Sequence, residues 1–173
     1  ALLLPLMMQA QKTMGEWKLY SVFANSVTKM LETPQKVFYV SEGNLYSYDK
    51  STDENYHYTS SNELNDNEVL NIYYNRDNKY VVVTYKSGNI DLIYDNGKVI
   101  NLPDIKDAVL TSSKGINDIS FYNNKIYVAT EFGIVVFNDK NHTVVESGIF
   151  NYNVNSIEAT KDYLYMNIGM NIY

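Results

Sequence analysis

Glycine recurs in this chain at a nearly fixed interval. Gly43, Gly88, Gly133 and Gly169 stand 45, 45 and 36 residues apart, each at the same place in a repeated unit. An apolar run ends in a short polar turn, the glycine follows, and a second apolar or aromatic run begins. The units read VFYVSEGNLYSYD from Val37, YVVVTYKSGNIDLIYD from Tyr80, IYVATEFGIVVFND from Ile126 and LYMNIGMNIY from Leu164. Repeats of about 40–50 residues built only from strands are β-propeller blades, whereas helical arrays of that period carry a 3.6-residue pattern. The expected fold is all-β: a partial β-propeller of about three and a half four-stranded antiparallel blades.

Each unit also opens with an apolar residue, two intervening positions and a second apolar residue. These are Val27 and Met30, Val69 and Ile72, Ile116 and Ile119, and Val154 and Ile157. They mark innermost strands. The second strands, such as Tyr80 to Tyr85, are the most apolar, as befits strands covered on both faces by neighbouring blades. Outer strands are expected near Glu54 to Tyr58, Lys98 to Leu102 and Thr143 to Ser147. Turns rest on the 22 asparagines more than on the eight glycines and three prolines, because asparagine tolerates left-handed geometry. Asn96-Gly97 is the strongest two-residue hairpin signal. The repeat glycines are expected to supply positive φ between second and third strands, or to make room where a side chain would strike the next blade.

The net charge is −6 and Arg76 is the sole arginine. Phosphate neutralisation needs clustered Lys and Arg, so no nucleic-acid partner is expected. Cysteine is absent, which excludes disulfides and thiolate chemistry. Residues 1–10, ALLLPLMMQA, are too short to span a bilayer but suit the apolar region of a secretory signal. They are read as a signal-peptide remnant ahead of an incomplete propeller over residues 11–173, and the protein as exported. No later segment is apolar enough for a membrane span. Trp17 to Tyr20 reads either as a strand clasping the ring or as a lead-in packed on the first blade. The start without Met and the stop at Tyr173 read as a piece cut at both ends. Open blade faces would leave such a piece marginal, oligomeric or prone to aggregate.

Little in the sequence points to catalysis. His57 and His142 lack the spacing of a zinc site, and no Gly-x-Ser-x-Gly elbow is present. Asn65 to Glu68 and Asp104 to Asp107 offer oxygens but match no calcium loop, and are read as solvated loops. Tyr56, Tyr58, Tyr73 and Tyr74 are candidates for stacking on sugars or filling a partner's pockets, although blade packing uses such rings too. The inner-strand residues Thr28, Asn71, Asp118 and Ser156 build no evident polar site. No catalytic residue, metal or cofactor is assigned.

Longer stretches carry a family resemblance. Ser87-Gly88-Asn89-Ile90-Asp91-Leu92, Pro103-Asp104-Ile105-Lys106, Lys114 to Ile119 and Phe132-Gly133-Ile134-Val135-Val136 resemble the N-terminal propeller of the PorZ family of type IX secretion surface proteins. The stretches Trp17 to Tyr20 and Asn44 to Asp49 fit the same pattern. The resemblance implies a larger parent with two seven-bladed propellers and a C-terminal sandwich, exposed at the outer-membrane surface of Bacteroidota. It implies partners, namely the sortase-like PorU and barrel-associated PorV and PorQ, and a role in supplying anionic lipopolysaccharide for cargo attachment. It transfers no catalytic residue. The sensor propeller of a periplasmic two-component regulator, recognising glycans, is the alternative.

Overall fold

The computed structural model describes residues 26–173. The signal-like segment and the stretch from Trp17 to Tyr20 lie outside the described residues. Among the described residues fifteen strands form four antiparallel sheets in strict sequence order. The first holds β1 (Val27–Glu32), β2 (Lys36–Ser41), β3 (Asn44–Asp49) and β4 (Asn55–Tyr58). The second holds β5 (Val69–Asn75), β6 (Tyr80–Tyr85), β7 (Ile90–Tyr94) and β8 (Val99–Leu102). The third holds β9 (Ile116–Tyr122), β10 (Lys125–Thr130), β11 (Gly133–Asn138) and β12 (Val144–Ile149). The fourth has three strands, β13 (Val154–Ala159), β14 (Leu164–Ile168) and β15 (Asn171–Ile172). This is a partial β-propeller.

The paired apolar residues of the first strands pose a geometric problem. On a regular strand, residues three apart point to opposite faces. Both nevertheless bury in three sheets: Val69 and Ile72, Ile116 and Ile119, and Val154 and Ile157 are each no more than 7% exposed. A β-bulge reconciles the two. Register slips at the second residue of each first strand, so Thr28, Leu70, Asn117 and Asn155 have no partner opposite. One extra residue rotates the chain and returns the second apolar side chain to the same face.

Second strands explain why sheets stack. In β6 every residue is buried. Val81, Val83 and Tyr85 join a core with Phe38, Leu45 and Tyr58 of the first sheet. Tyr80 and Val82, pointing the other way, join Ile119, Val128 and Phe137 of the third. A smaller cluster of Ala129, Ile134, Val154 and Ile157 fastens the third sheet to the fourth. Blade contact therefore follows directly from two-residue alternation in a run that is apolar on both sides.

Turn chemistry is as varied as the asparagine count implies. Asn123 and Asn124 both adopt positive φ, +47° and +57°, closing the β9–β10 hairpin. Gly97 takes φ +83° beside Asn96. The four repeat glycines have φ of +73° (Gly43), +85° (Gly88), +146° (Gly133) and +62° (Gly169). Space separates them. A Cβ on Gly133 would fall 1.9 Å from the Gly148 carbonyl oxygen, and one on Gly88 2.7 Å from that of Lys114, whereas Gly169 has nothing within 4 Å.

One segment departs from the sequence reading. Asp104–Asp107, read as a solvated loop, is a single helical turn, α1, whose Ile105 is buried in the core between the second and third sheets. Pro103 precedes it with φ −85°, and proline needs no amide partner at a helix start. The apolar plug at Ile105 makes the turn worth forming. We predict that Gly133→Ala lowers unfolding free energy by about 4 kcal/mol or more, since backbone must move. Gly97→Ala, strained but unobstructed, is expected to cost only about 1–2 kcal/mol. Denaturant midpoints of the two variants give the comparison.

Candidate interaction surface

The bulged residues and their neighbours assemble a run of amides along the first strands. Asn71 Nδ2 donates to Tyr73 Oη at 2.8 Å, and the Tyr73 hydroxyl donates to the Asn117 carbonyl at 3.2 Å. Asn117 Nδ2 donates to Asn153 Oδ1 at 2.6 Å and to the Val154 carbonyl at 2.8 Å. Asn153 Nδ2 then reaches Asn155 Oδ1, and Asn155 Nδ2 reaches Asn167 Oδ1, both at 3.0 Å. The run crosses three sheets. Asn153 and Asn155 are exposed, so their remaining amide protons and lone pairs face solvent. Burial, aided by the nearby Asp118 charge, raises the Tyr73 phenol well above its ordinary pKa and keeps it a donor. The amides of the run are neutral and rich in donors and acceptors, suited to hydroxyls and peptide groups.

Carboxylates are placed differently, within the second sheet at Asp91 and across the junctions between sheets at Asp139 and Asp118. Asp91, fully buried, accepts from the Asn65 backbone amide (2.8 Å), Asn65 Nδ2 (2.9 Å), Tyr85 Oη (2.6 Å) and Asn101 Nδ2 (2.9 Å). Asp139, also buried, accepts from Asn75 Nδ2 (2.9 Å), Asn78 Nδ2 (2.6 Å) and Tyr80 Oη (2.7 Å). Asp118 Oδ2 takes the Ile157 amide of the next sheet at 3.0 Å. Burial and the adjoining carboxylate push both Tyr80 and Tyr85 far up, so each phenol remains protonated. These are clamps rather than acid–base pairs.

The two acidic segments meet, but around a lysine. Lys106 Nζ lies 2.8 Å from Asp66 Oδ2, which also accepts from Ser87 Oγ at 2.7 Å. Among the described residues no group of three or more His, Cys, Asp and Glu is placed to hold a metal. His57 is exposed and stacks on Tyr46 at 4.5 Å. His142 is half-buried and its Nε2 is hydrogen-bonded to Tyr94 Oη at 3.1 Å. Of the four tyrosines singled out, Tyr56 is exposed, Tyr58 is buried, and Tyr73 and Tyr74 are half-buried. Thr28 Oγ1 bonds the Val40 carbonyl at 3.3 Å, Asn71 and Asp118 join the contacts above, and Ser156 is exposed. Asn117, Asn153, Asn155 and Asn167 were invisible as a group, because only the bulges and the fold line them up.

A profile of the type IX secretion family described as the PorZ N-terminal β-propeller domain matches residues 37–172. The chain belongs to that family. Among solved structures, PorZ of Porphyromonas gingivalis, an essential bacterial surface component of the type IX secretion system, is 31% identical with a TM-score of 0.76. The match covers 83% of this chain and 19% of PorZ, so the chain spans about a fifth of that relative. The extracellular domain of BT4673, a putative one-component system of B. thetaiotaomicron, aligns at TM-score 0.67 and 12% identity over 84% of this chain and 20% of its own. The computationally designed protein Ika4 aligns at 0.66 and 15%, covering 92% of this chain and 98% of its own. These last two share the fold. No curated protein matches the chain. Among the described residues no helix is long and apolar enough to cross a membrane.

Two outcomes follow for the junctions. Asp139→Ala strands the buried donors of Asn75 and Tyr80 as well as the exposed Asn78 amide, and is expected to cost about 3 kcal/mol by denaturant unfolding, while leaving the strand content seen by circular dichroism intact. The His142 pKa is lowered in the fold, chiefly by burial and further by Lys98, against the pull of Asp139. The unfolded imidazole, near pH 6.5, therefore binds protons first. Stability is full above that pH and declines as pH falls through it toward the lower folded value. His142→Gln should flatten this part of the stability curve, measured as unfolding midpoint between pH 5 and 8.

Proposed function

We propose that this chain is a non-enzymatic interaction module of a PorZ-type component of the type IX secretion system, working outside the cytoplasm at the outer-membrane surface. Its partners are the proteins of the attachment complex, of PorU, PorV and PorQ type, and the glycan of anionic lipopolysaccharide to which cargo is joined. The observation that carries this reading is membership of the PorZ propeller family over residues 37–172, reinforced by the 31% identity with PorZ. The chemistry agrees with it. The amide run presents neutral hydrogen-bonding groups fit for peptide or sugar hydroxyls. The buried Asp91 and Asp139 are saturated by donors and turned into the fold. The repeat turns at Gly43, Gly88, Gly133 and Gly169 act in this reading as scaffold.

In the bacterium that encodes the chain, in-frame excision of residues 37–172 is expected to release secreted cargo into the medium without its lipopolysaccharide anchor. Cell-surface fractionation and immunoblotting read the result. Cargo that stays anchored at the wild-type level would overturn the assignment.

A further inference from the structure

Between the outer strands of the first and second sheets lies a cavity of about 180 Å³. Phe38 and Tyr58 line it with ring centroids 5.8 Å apart and planes at 29°. Tyr56 stands edge-on to Tyr58 at 4.8 Å. The charged side chains of its lining are Glu63, Asp95 and Lys36.

Glu63 is singular. Its Oε1 accepts from the Tyr56 hydroxyl. Its Oε2 is buried with no hydrogen-bond partner, the sole such side-chain atom among the described residues. A carboxylate oxygen withdrawn from water and left without a donor is costly, so the position calls for one. Lys36 does not supply it. The ion pairs among the described residues join Lys50 to Glu32, Lys86 to Glu68 and Lys106 to Asp66. Lys36 stands opposite Asp49 in the β2–β3 ladder.

We propose that this cavity binds a primary ammonium group, with Glu63 Oε2 as its counter-charge and the rings of Tyr56, Tyr58 and Phe38 around its alkyl stem. A hydroxyl would satisfy the oxygen but not the charge. A second carboxylate, Asp95, lines the same space, and aromatic faces attract cations. The ammonium is carried either by a free alkylamine or by a lysine side chain of a protein partner. The inference stands apart from the secretion reading, since it rests on Glu63 and its cavity alone.

The test is a titration of the full chain, followed by NMR, with n-butylammonium, with Nα-acetyl-lysine methylamide and with its uncharged norleucine counterpart. Saturable shifts at Tyr56, Tyr58 and Glu63 are expected with both amines and none with norleucine. Tenfold tighter binding of the lysine amide identifies a protein source, and tenfold tighter binding of butylammonium a free amine. Glu63→Gln should weaken the amines at least tenfold with an unfolding midpoint no lower than that of the wild type. Tyr56→Phe, which keeps the ring and frees Oε1, should bind them at least as tightly as wild type. Equal binding of norleucine, full retention of affinity in Glu63→Gln, or no shifts with either amine because a buried water alone fills the site, would each overturn the proposal.

Discussion

The structure depends on one irregularity, the bulge at the second residue of every first strand. Without it, Val69 and Ile72 would point to opposite faces, and so would Ile116 and Ile119. One of each pair would leave the inter-blade core, where the members of both pairs are now buried. Two junctions rest on these residues, and the third rests in the same way on Val154 and Ile157. The same bulge lifts its own residue out of the ladder. Asn117 and Asn155 occupy that position, so their side chains are free to reach along the inner surface instead of toward a paired strand. The feature that packs the blades thus also creates the amide run.

Burial on both faces of the second strands leaves few places for polar contact within and between blades, and these are filled by carboxylates with neutral donors. Asp91 collects four hydrogen bonds and Asp139 three, with no cation at either. Charge-assisted bonds of this kind are stronger than neutral ones, and asparagine and tyrosine donors carry no desolvated charge of their own. The donors to Asp139 come from a different blade, from β5, β6 and the turn between them. Apolar stacking brings sheets together without fixing their rotation. Directional acceptors fix it at two junctions, Asp139 between the second and third sheets and Asp118 between the third and fourth.

Much of this was legible in the sequence, and the limits have physical causes. The glycine interval, the apolar second strands and Asn96-Gly97 are local signals, and the strand order follows from them because every connection is a hairpin or a short link. The pairing of Asp139 with Tyr80 spans 59 residues, and nothing near Asp139 marks it as buried. The turn at Asp104–Asp107 was obscured by three charged residues around Ile105, whose burial depends on a core made by two other sheets. The amide run was missed for a related reason. Asn117, Asn153 and Asn167 look like any of the 22 asparagines until a bulge and a neighbouring blade align them.

The distribution of satisfied and unsatisfied acceptors separates scaffold from surface. A carboxylate that already accepts three or four hydrogen bonds has most of its acceptor capacity engaged within the fold. Asp91 and Asp139 are therefore fixed parts of the frame, however acidic the chain is as a whole. The exposed amides retain capacity but carry no charge, so their contacts are weak singly and gain strength only when several engage one extended partner. Among the described residues Glu63 alone combines a charge with a buried, unused acceptor, held in place by the Tyr56 hydroxyl at its other oxygen. The described blades thus offer neutral hydrogen-bonding groups along their inner strands and one buried, unpartnered carboxylate oxygen at the seam between the first two.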